Sequence, residues 1–251
     1  MFETVHFINL RIIVLDAKTL EEMIRAEDEH PWYRARLSLV KNWGKNIPPN
    51  SIGLDIGCGS GAAAQLLQQQ FHLMPIGLDV SKFAVDASKE RGVKTLRVDV
   101  TKLPFKEASQ DFVLALDVIE HIEDRHILLN EMFRVLKPGG KGLITVPAHS
   151  WLWSNHDVLN HHFRRYSKQL LLEDLVQAGF SVKSVRWWNS IFLPYVFLTR
   201  FAKRGKESSE FELPPKLLQV LVNVILTTEA RIGLFGKIVG VSLVATIEKP
   251  N

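Results

Sequence analysis

A glycine-rich segment stands between an apolar run and a helical pattern, where a polar ligand could bind. It reads Leu54-Asp55-Ile56-Gly57-Cys58-Gly59-Ser60-Gly61. Glycines let the backbone turn sharply and approach a ligand closely, and the unpaired N–H groups at the start of the next helix favour an anionic or polar group. The spacing is G-x-G-x-G rather than the G-x-G-x-x-G of dinucleotide sites. The segment therefore predicts a ligand-binding loop that differs from the loop of dinucleotide-binding proteins.

Four aspartates accompany successive predicted strands. Asp55 lies two residues before the first glycine, and Asp79, Asp99 and Asp117 each end a later strand. Ligands of open α/β sheets bind beyond the carboxyl ends of the strands, and an acid about 20 residues past the loop binds ribose hydroxyls. Asp79 has that position, while Asp55 would repel a pyrophosphate and suits an ammonium group. The alternative for each aspartate is a turn or a helix N-cap.

A second group of reactive side chains lies in residues 147–167, a segment rich in Trp, His and Arg. His, Asp and Tyr can deprotonate or orient a hydroxyl or an amine, and Arg164 and Arg165 suit a carboxylate or a phosphate. His161 and His162 are adjacent rather than four residues apart, so they do not share a helix face. We therefore expect no metal site.

Short apolar runs alternate with helical patterns through the middle of the chain. This alternation predicts βαβ units, right-handed crossovers and a parallel sheet. The predicted strands are 51–56, 75–80, 94–98, 112–116, 142–146, 181–188 and 241–248, and the predicted helices are 62–70, 82–91, 125–136 and 168–178, the last capped by Ser167.

Three segments do not follow this alternation: one before the first strand, one after the fifth strand, and one between the last two strands. The long segment between the last two strands is expected to be a lid or a binding element. We interpret the chain as one domain over 1–251, with a helical cap over 1–46, a core over 47–188 and 240–251, and a helical insertion over 189–239.

Composition narrows the class of protein. The 251 residues are 46% hydrophobic and 23% charged, which argues against disorder and a coiled coil. The net charge of +4, without a long basic run, gives little support for a nucleic-acid partner. The single cysteine, Cys58, excludes an internal disulfide and a Cys-rich zinc site, and fits the cytoplasm. The start lacks signal-peptide features, and the charge-free stretch 187–199 is shorter than the ~20 residues of a spanning helix.

Five motifs occur in order over about residues 50–146: LDIGCGSG, GLDVS, RVDVTKLPF, LALDVIEHIED and RVLKPGG. In these motifs the chain resembles the class I S-adenosylmethionine (SAM)-dependent methyltransferases, in particular the type-11-like enzymes that act on small molecules. The resemblance implies a Rossmann-like, doubly wound, mostly parallel seven-stranded sheet with an antiparallel last strand and helices on both faces. It also implies SAM as cofactor and S-adenosylhomocysteine as product.

The resemblance further assigns residues to the cofactor. Asp55 would reach the amino-acid end of SAM, Asp79 the ribose hydroxyls and Asp99 the adenine amino group. Arg36 would pair with the SAM carboxylate, although a solvated Arg on a helix packed on the core is the alternative. The full set implied for the cofactor is Tyr33, Arg36, Asp55, Gly57, Cys58, Gly59, Asp79, Val80, Asp99, Val100, Asp117 and Val118, with Cys58 as a small space-filler.

The protein residues that contact the methyl acceptor are expected beyond the fourth and fifth strands. His121 is the first choice for a general base, and a loop histidine bonded to backbone is the alternative. The candidate catalytic residues are His121, His149 and Tyr166, and the candidate substrate-binding residues are Trp151, His161, Arg164 and Arg165.

The expected function is methyl transfer from SAM to the O, N or C atom of a small-molecule or lipid-like acceptor. The alternatives are an NAD(P)-dependent oxidoreductase, against which the glycine spacing and Asp55 argue, and a non-catalytic SAM-binding scaffold. No nucleic-acid acceptor is expected, because 117–120 carry Asp-Val-Ile-Glu where many such enzymes have N/D-P-P-Y/F. The apolar parts of the insertion could cover the acceptor, contact a membrane from the cytoplasmic side, or form a dimer face.

Overall fold

The structure of the protein, a computed structural model, describes residues 24, 27, 30–194, 196, 197, 216–232 and 239–251. Most of the expected N-terminal cap and the middle of the expected insertion lie outside the described residues.

Seven strands form one sheet in the order β3-β2-β1-β4-β5-β7-β6. Neighbouring strands among β1 to β5 pair in parallel, whereas β7 lies antiparallel between β5 and β6. This topology confirms the predicted mostly parallel sheet with an antiparallel last strand. The strands are β1 Ile52–Ile56, β2 Met74–Asp79, β3 Thr95–Arg97, β4 Gln110–Leu116, β5 Leu136–Pro147, β6 Ser181–Trp188 and β7 Ser242–Glu248.

Helices cover both faces of the sheet. They are α1 Pro31–Gly44, α2 Ala62–Phe71, α3 Lys82–Glu90, α4 Arg125–Val135, α5 Asn155–Leu159, α6 Lys168–Gln177 and α7 Lys216–Ile232, with 3₁₀ turns at Ile119–His121 and Ser150–Leu152. The hydroxyl of Ser167 accepts the N–H of Leu170 at 3.0 Å, which confirms the predicted cap of α6.

Two apolar layers sandwich the sheet. One layer joins Leu128 and Leu171, from α4 and α6, to sheet residues such as Val113. The other joins Leu39 of α1 and Leu226 of α7 to the opposite face. Because both faces are covered, β4 is apolar along most of its length instead of alternating.

The start of β5 differs from the prediction. The sequence predicted a helix over 125–136 and a strand over 142–146, but the strand already begins at Leu136. Leu136 is extended and pairs with Gln110, and the register shifts before Phe112 pairs with Lys141. Lys137 precedes a proline, which disfavours helical backbone. The helix therefore ends early and passes directly into an irregular strand.

Most of the described part of the insertion is helical. Residues 193, 194, 196 and 197 form a helical segment, and α7 packs along α1. Among the described residues, no helix combines the length and the apolar character needed to span a bilayer.

A largely buried ion pair joins α4 to α6. The Arg125 guanidinium donates from Nε and Nη2 to the two carboxylate oxygens of Asp174, the Nη2 bond measuring 2.8 Å. The side chain of Asp174 is 3% exposed, and that of Arg125 is 22% exposed. Because a buried carboxylate is costly without a partner, this pair fixes the relative position of the two helices.

We predict that Asp174→Asn lowers the free energy of unfolding by about 2 kcal/mol, since it removes a charge-assisted, bidentate contact. Urea denaturation measures the change. Asp86→Asn is the matched control, because the Lys82–Asp86 pair on α3 is exposed and such pairs contribute little. Equal stability of the two variants would contradict the prediction.

Candidate active site

The glycine turn after β1 is closely packed against its neighbours. Gly57 has φ +64°, and a Cβ there would lie 2.6 Å from Val118 Cγ2. Gly61, the N-cap of α2, has φ +80°, and a Cβ there would lie 2.3 Å from Ser88 Oγ. A larger residue would be strained and would clash at both positions. The N-cap residue of α2 makes no side-chain hydrogen bond, but the backbone N–H of Ala64, in the first turn of the helix, bonds to the Asp55 carboxyl.

Asp79 lies at the end of β2 and holds the glycine turn. Its Oδ2 accepts the N–H of Gly59 at 3.1 Å, and its Oδ1 accepts the N–H of Ser81 at 2.9 Å. Burial raises the pKa of the Asp79 carboxyl. Asp79 therefore links the turn after β1 to the start of α3.

Asp99 forms a local turn at the end of β3. Its Oδ1 accepts from the N–H and the hydroxyl of Thr101, at 2.8 and 2.6 Å. The nearby Val100 is buried, and Val80 after β2 is half-buried with its carbonyl bonded to Arg97 Nε at 2.9 Å. The turn bonds of Asp99 match the alternative for this residue, and they leave its other oxygen, Oδ2, for a further contact.

Asp55 is a buried acid beneath the glycine turn. It is 2% exposed, and its Oδ2 has no hydrogen-bond partner among the described residues. Burial raises the pKa of its carboxyl to about 7; the nearby Glu27 also raises it, and Arg36 lowers it. A cationic group bound here would supply the missing partner.

Helix α1 brings a cation to the end of β4. Arg36 Nη1 lies 3.1 Å from Asp117 Oδ2, and its Nη2 lies 3.3 Å from Glu27 Oε1. The guanidinium also lies over the rings of Trp32 and Tyr33, 5.0 and 5.1 Å from their centroids. In this arrangement Arg36 contacts acids of the protein itself, where the sequence analysis expected the carboxylate of SAM.

Glu27 is a site neighbour that the sequence analysis did not single out. It pairs with Arg36 through one oxygen, and its other oxygen accepts from the Ser60 hydroxyl. It therefore connects the segment before α1 to the glycine turn. Its place in an acidic run, 27–29, gave no signal for such a contact.

Cys58 fills space in the turn. It is buried, and its Sγ would lie 2.9 Å from a Cβ at Gly77 on β2. Burial raises the pKa of the thiol far above its usual range, so it remains protonated. This environment agrees with the expected space-filling role.

The turn after β4 carries the first candidate for a base. His121 ends the 3₁₀ turn, and its ring meets that of His162 edge-on with centroids 4.7 Å apart. Burial, with a contribution from His162, lowers the pKa of His121 to about 3. The ring is therefore neutral near pH 7 but binds a proton weakly, which makes it a poor general base.

The loop after β5 forms an aromatic rim. The ring of His149 stacks on Trp187, with centroids 4.8 Å apart and planes 11° apart, and lies 4.9 Å from Trp151. Its Nε2 lies 3.0 Å from the Gly240 carbonyl oxygen. Trp151 is 53% exposed and lies edge-on to Phe197, so this rim offers apolar surface.

Of three other candidates for the acceptor site, Arg165 and Tyr166 are buried and Arg164 is half-buried. Tyr166 is fully buried in the core, where burial raises the pKa of its hydroxyl. Arg164 donates from Nη1 to the Ile122 carbonyl at 2.6 Å, and the buried Arg165 donates from Nε to Asp157 at 2.7 Å. These contacts show that the two arginines hold the loop together, which the Arg-Arg-Tyr sequence did not predict.

His161 lies in the turn that follows α5. Its φ is +55°, and its N–H bonds to the Val158 carbonyl at 3.1 Å. The next residue, His162, lies against the turn after β4, close to Glu120 and His121. The sequence analysis missed this juxtaposition, because about 40 residues separate the two segments.

Comparisons with known proteins identify the class of domain. The model of a family described as "Methyltransferase domain" matches residues 54–144. A probable S-adenosylmethionine-dependent methyltransferase of Mycolicibacterium smegmatis is 31% identical over 160 residues, which are 62% of each chain. The chain belongs to the class I SAM-dependent methyltransferase family.

The acceptors named for other relatives differ. Phosphoethanolamine N-methyltransferase 2 of Caenorhabditis elegans is 33% identical over 121 residues, 45% of this chain and 28% of the relative. A tRNA (carboxymethyluridine(34)-5-O)-methyltransferase of Macaca fascicularis is 33% identical over 127 residues, 49% of this chain and 18% of the relative. The chain thus spans less than two thirds of the length of these relatives, and their similarity leaves the acceptor undetermined.

A solved structure shares the whole fold. The complex between the Haloferax volcanii Trm112 methyltransferase activator and the putative methyltransferase contains a chain with a TM-score of 0.65 and 21% identity. The match covers 93% of this chain and 95% of that one. This likeness supports the sheet order and the position of the helices.

We predict that Asp55 makes stability fall as the pH rises. Its folded-state pKa of about 7 lies above the ordinary 3.8, so between these values the folded chain holds a proton that the unfolded chain has lost. The contribution is complete below about pH 4 and lost above about pH 7. Asp55→Asn should therefore gain stability relative to the wild type between pH 5 and pH 8, by a few kcal/mol at most.

Urea denaturation of both proteins at several pH values measures this difference. Asp86→Asn, on the exposed face of α3, controls for the loss of one negative charge. Parallel pH profiles for the wild type and Asp55→Asn would refute the raised pKa.

Proposed function

We propose that the protein binds SAM and transfers its methyl group to a small-molecule or lipid-like acceptor. The observation that carries this proposal is the glycine turn next to the buried Asp55, whose Oδ2 has no hydrogen-bond partner among the described residues. SAM has an ammonium group, a sulfonium and a nucleoside, and the carboxyl ends of β1, β2 and β4 offer partners for each. The family to which the chain belongs supports the same cofactor.

The residues present fit SAM. Asp55 would bind the amino end, Asp79 the ribose hydroxyls, and Asp99 the adenine amino group. Gly59 leaves room for the methionine part and ribose, since a Cβ there would approach only Glu27 Oε1, at 3.9 Å. The other residues that we assign to the cofactor are Tyr33, Arg36, Cys58, Gly59, Val80, Val100, Asp117 and Val118.

Arg36 and Tyr33 would close the site from the side of α1. The guanidinium bridges Asp117 and Glu27, so the first turn of α1 is tied to the end of β4. A carboxylate has the geometry to pair with such a guanidinium. We propose that this bridge orders the cover over the methionine end.

SAM supplies a methyl group on a sulfonium, which an acceptor displaces in line. The chain's own task is therefore to align the acceptor and exclude water, and alignment alone can supply much of the acceleration. His121 binds a proton too weakly to be an effective base in its present surroundings. His149 and Trp151 stand at the aromatic rim, and we assign them to the acceptor.

The rim supports an acceptor with apolar character. Trp151, Trp153 and Leu159 are 53%, 40% and 60% exposed, close together in the chain after β5. Large exposed apolar groups of this kind mark binding surfaces. We propose a lipid-like or aromatic acceptor, and contact with a membrane surface would be one way to reach it. Arg164, Arg165, His161 and Tyr166 would act by holding the loop.

Calorimetric titration with SAM and with S-adenosylhomocysteine tests the proposal. The wild type should bind both. Asp79→Ala should weaken SAM binding about tenfold or more, which is about 1.4 kcal/mol, because it removes the ribose contacts and frees the Gly59 N–H. Asp86→Ala is the matched control on exposed surface and should bind like the wild type.

Two outcomes would contradict the proposal. Absence of binding by a folded wild-type sample would reject SAM as cofactor. Unchanged affinity of Asp79→Ala would reject the ribose assignment. Where SAM binds, methyl transfer from labelled SAM to amphipathic metabolites, with tRNA as a comparison, would identify the acceptor class.

A further inference from the structure

Three potential metal ligands lie together beyond β4. Glu120, His121 and His162 each offer a ligand atom, and these atoms all lie within 4.8 Å of one another. Glu120 and His121 belong to the 3₁₀ turn after β4, whereas His162 follows α5. The grouping therefore depends on how the loop after β5 packs onto this turn.

Hydrogen bonds to backbone carbonyl groups of the turn after β4 fix that packing. The N–H of Phe163 donates to the Glu120 carbonyl at 2.8 Å. Arg164 donates to the carbonyls of Ile119 and Ile122, at 3.4 and 2.6 Å. His162 is thus held between a strand-end turn and a pinned loop, as a preorganised ligand should be.

Glu120 is a buried acid in this group without a hydrogen-bonded partner for its side chain among the described residues. It is 0% exposed, and neither carboxylate oxygen has a hydrogen-bond partner among the described residues. Burying an unpaired carboxylate is costly, and buried carboxylates are normally paired or bound to metals. A cation between Glu120 and the two imidazoles would remove this cost.

His162 has the second hydrogen bond typical of a metal ligand. Its Nδ1 lies 2.8 Å from Asp157 Oδ1. Asp157 is fully buried and is held by Arg165 Nε at 2.7 Å and by the Ser154 N–H at 2.9 Å. A carboxylate on one imidazole nitrogen orients the other toward a metal, so His162 would bind an ion through Nε2.

We propose that Glu120, His121 and His162 bind a divalent transition-metal ion. Two imidazoles and one carboxylate are a donor set that Zn²⁺ and similar ions prefer, and three protein ligands leave a position for an exogenous group. Ligands on one such ion lie about 3.4 Å apart at ordinary bond lengths. Small side-chain rotations would close the present spacing around the ion.

If the protein transfers a methyl group from SAM, as proposed above, the ion would activate the acceptor. This role of the ion rests on the proposed function. The cluster begins three residues after Asp117, at the strand end assigned to SAM. A hydroxyl bound at the open position ionises more readily and releases its proton to water. The new O–CH₃ bond then forms as the S–CH₃ bond breaks and S-adenosylhomocysteine leaves. The ion would therefore favour an acceptor with a hydroxyl group, and the reaction would need no protein base.

Metal binding can be measured without SAM or acceptor. The metal-free protein is dialysed against buffered Zn²⁺ or Mn²⁺, and bound metal is determined by plasma mass spectrometry. We expect about one ion per wild-type chain. Glu120→Gln and His162→Gln should bind at least about tenfold more weakly, since each removes a ligand. His72→Asn is the matched control, because His72 is exposed after α2 and its φ of +54° suits Asn.

Circular dichroism and SAM titration of the same samples separate misfolding from ligand loss. Variants that fold and bind SAM but lose the ion support the metal site. A wild type that binds no ion, or variants that bind it as tightly as the wild type, would overturn it. A wild type that binds SAM but no metal would reject the metal site and leave the proposed function intact. A wild type that binds metal but not SAM would reject SAM as the cofactor and leave the metal site intact.

Discussion

The parallel pairing of β1 with β2 and β4 determines where the glycine turn and the strand-end aspartates of the candidate site lie. Leu54 pairs with Ile76 on one side and Val113 on the other, so the three strands end at one edge. The approach is close, because a Cβ at Gly53 would lie 2.4 Å from the Phe112 carbonyl oxygen. This register brings the glycine turn, Asp79 and Asp117 to a common opening, as Rossmann-like sheets do at their switch point.

Electrostatics at this opening favour a cationic ligand. Asp55, Asp117 and Glu27 surround one guanidinium, that of Arg36, and burial opposes the charge of Asp55. A bound cation would therefore provide a further opposite charge for the acidic side chains of the folded protein. A ligand that binds only the folded state also stabilises it. The arrangement therefore couples occupancy of the site to the stability of the strand ends.

Much of the fold followed from local sequence. Apolar runs, glycines and helix caps such as Ser167 act over a few residues, so the strands and the main helices were predicted within a few residues of their ends. Leu136 was missed because its extended backbone depends on pairing with Gln110 in another strand. Arg164 was interpreted as an anion ligand, since a sequence does not show which carbonyl groups will surround a guanidinium. Glu120 and His162 meet only through the folded loop.

The place of β7 in the sheet has a consequence for how this chain can diverge. Trp188 at the end of β6 pairs with Ser242 at the start of β7, so both ends of the 189–239 segment meet at one cross-strand pair. The entropy of closing such an excursion grows only with the logarithm of its length. The register of the sheet thus places little constraint on the length or the sequence of the 189–239 segment. Homologues can exchange it, lengthen it or trim it, and so acquire new acceptors while the cofactor half stays constant.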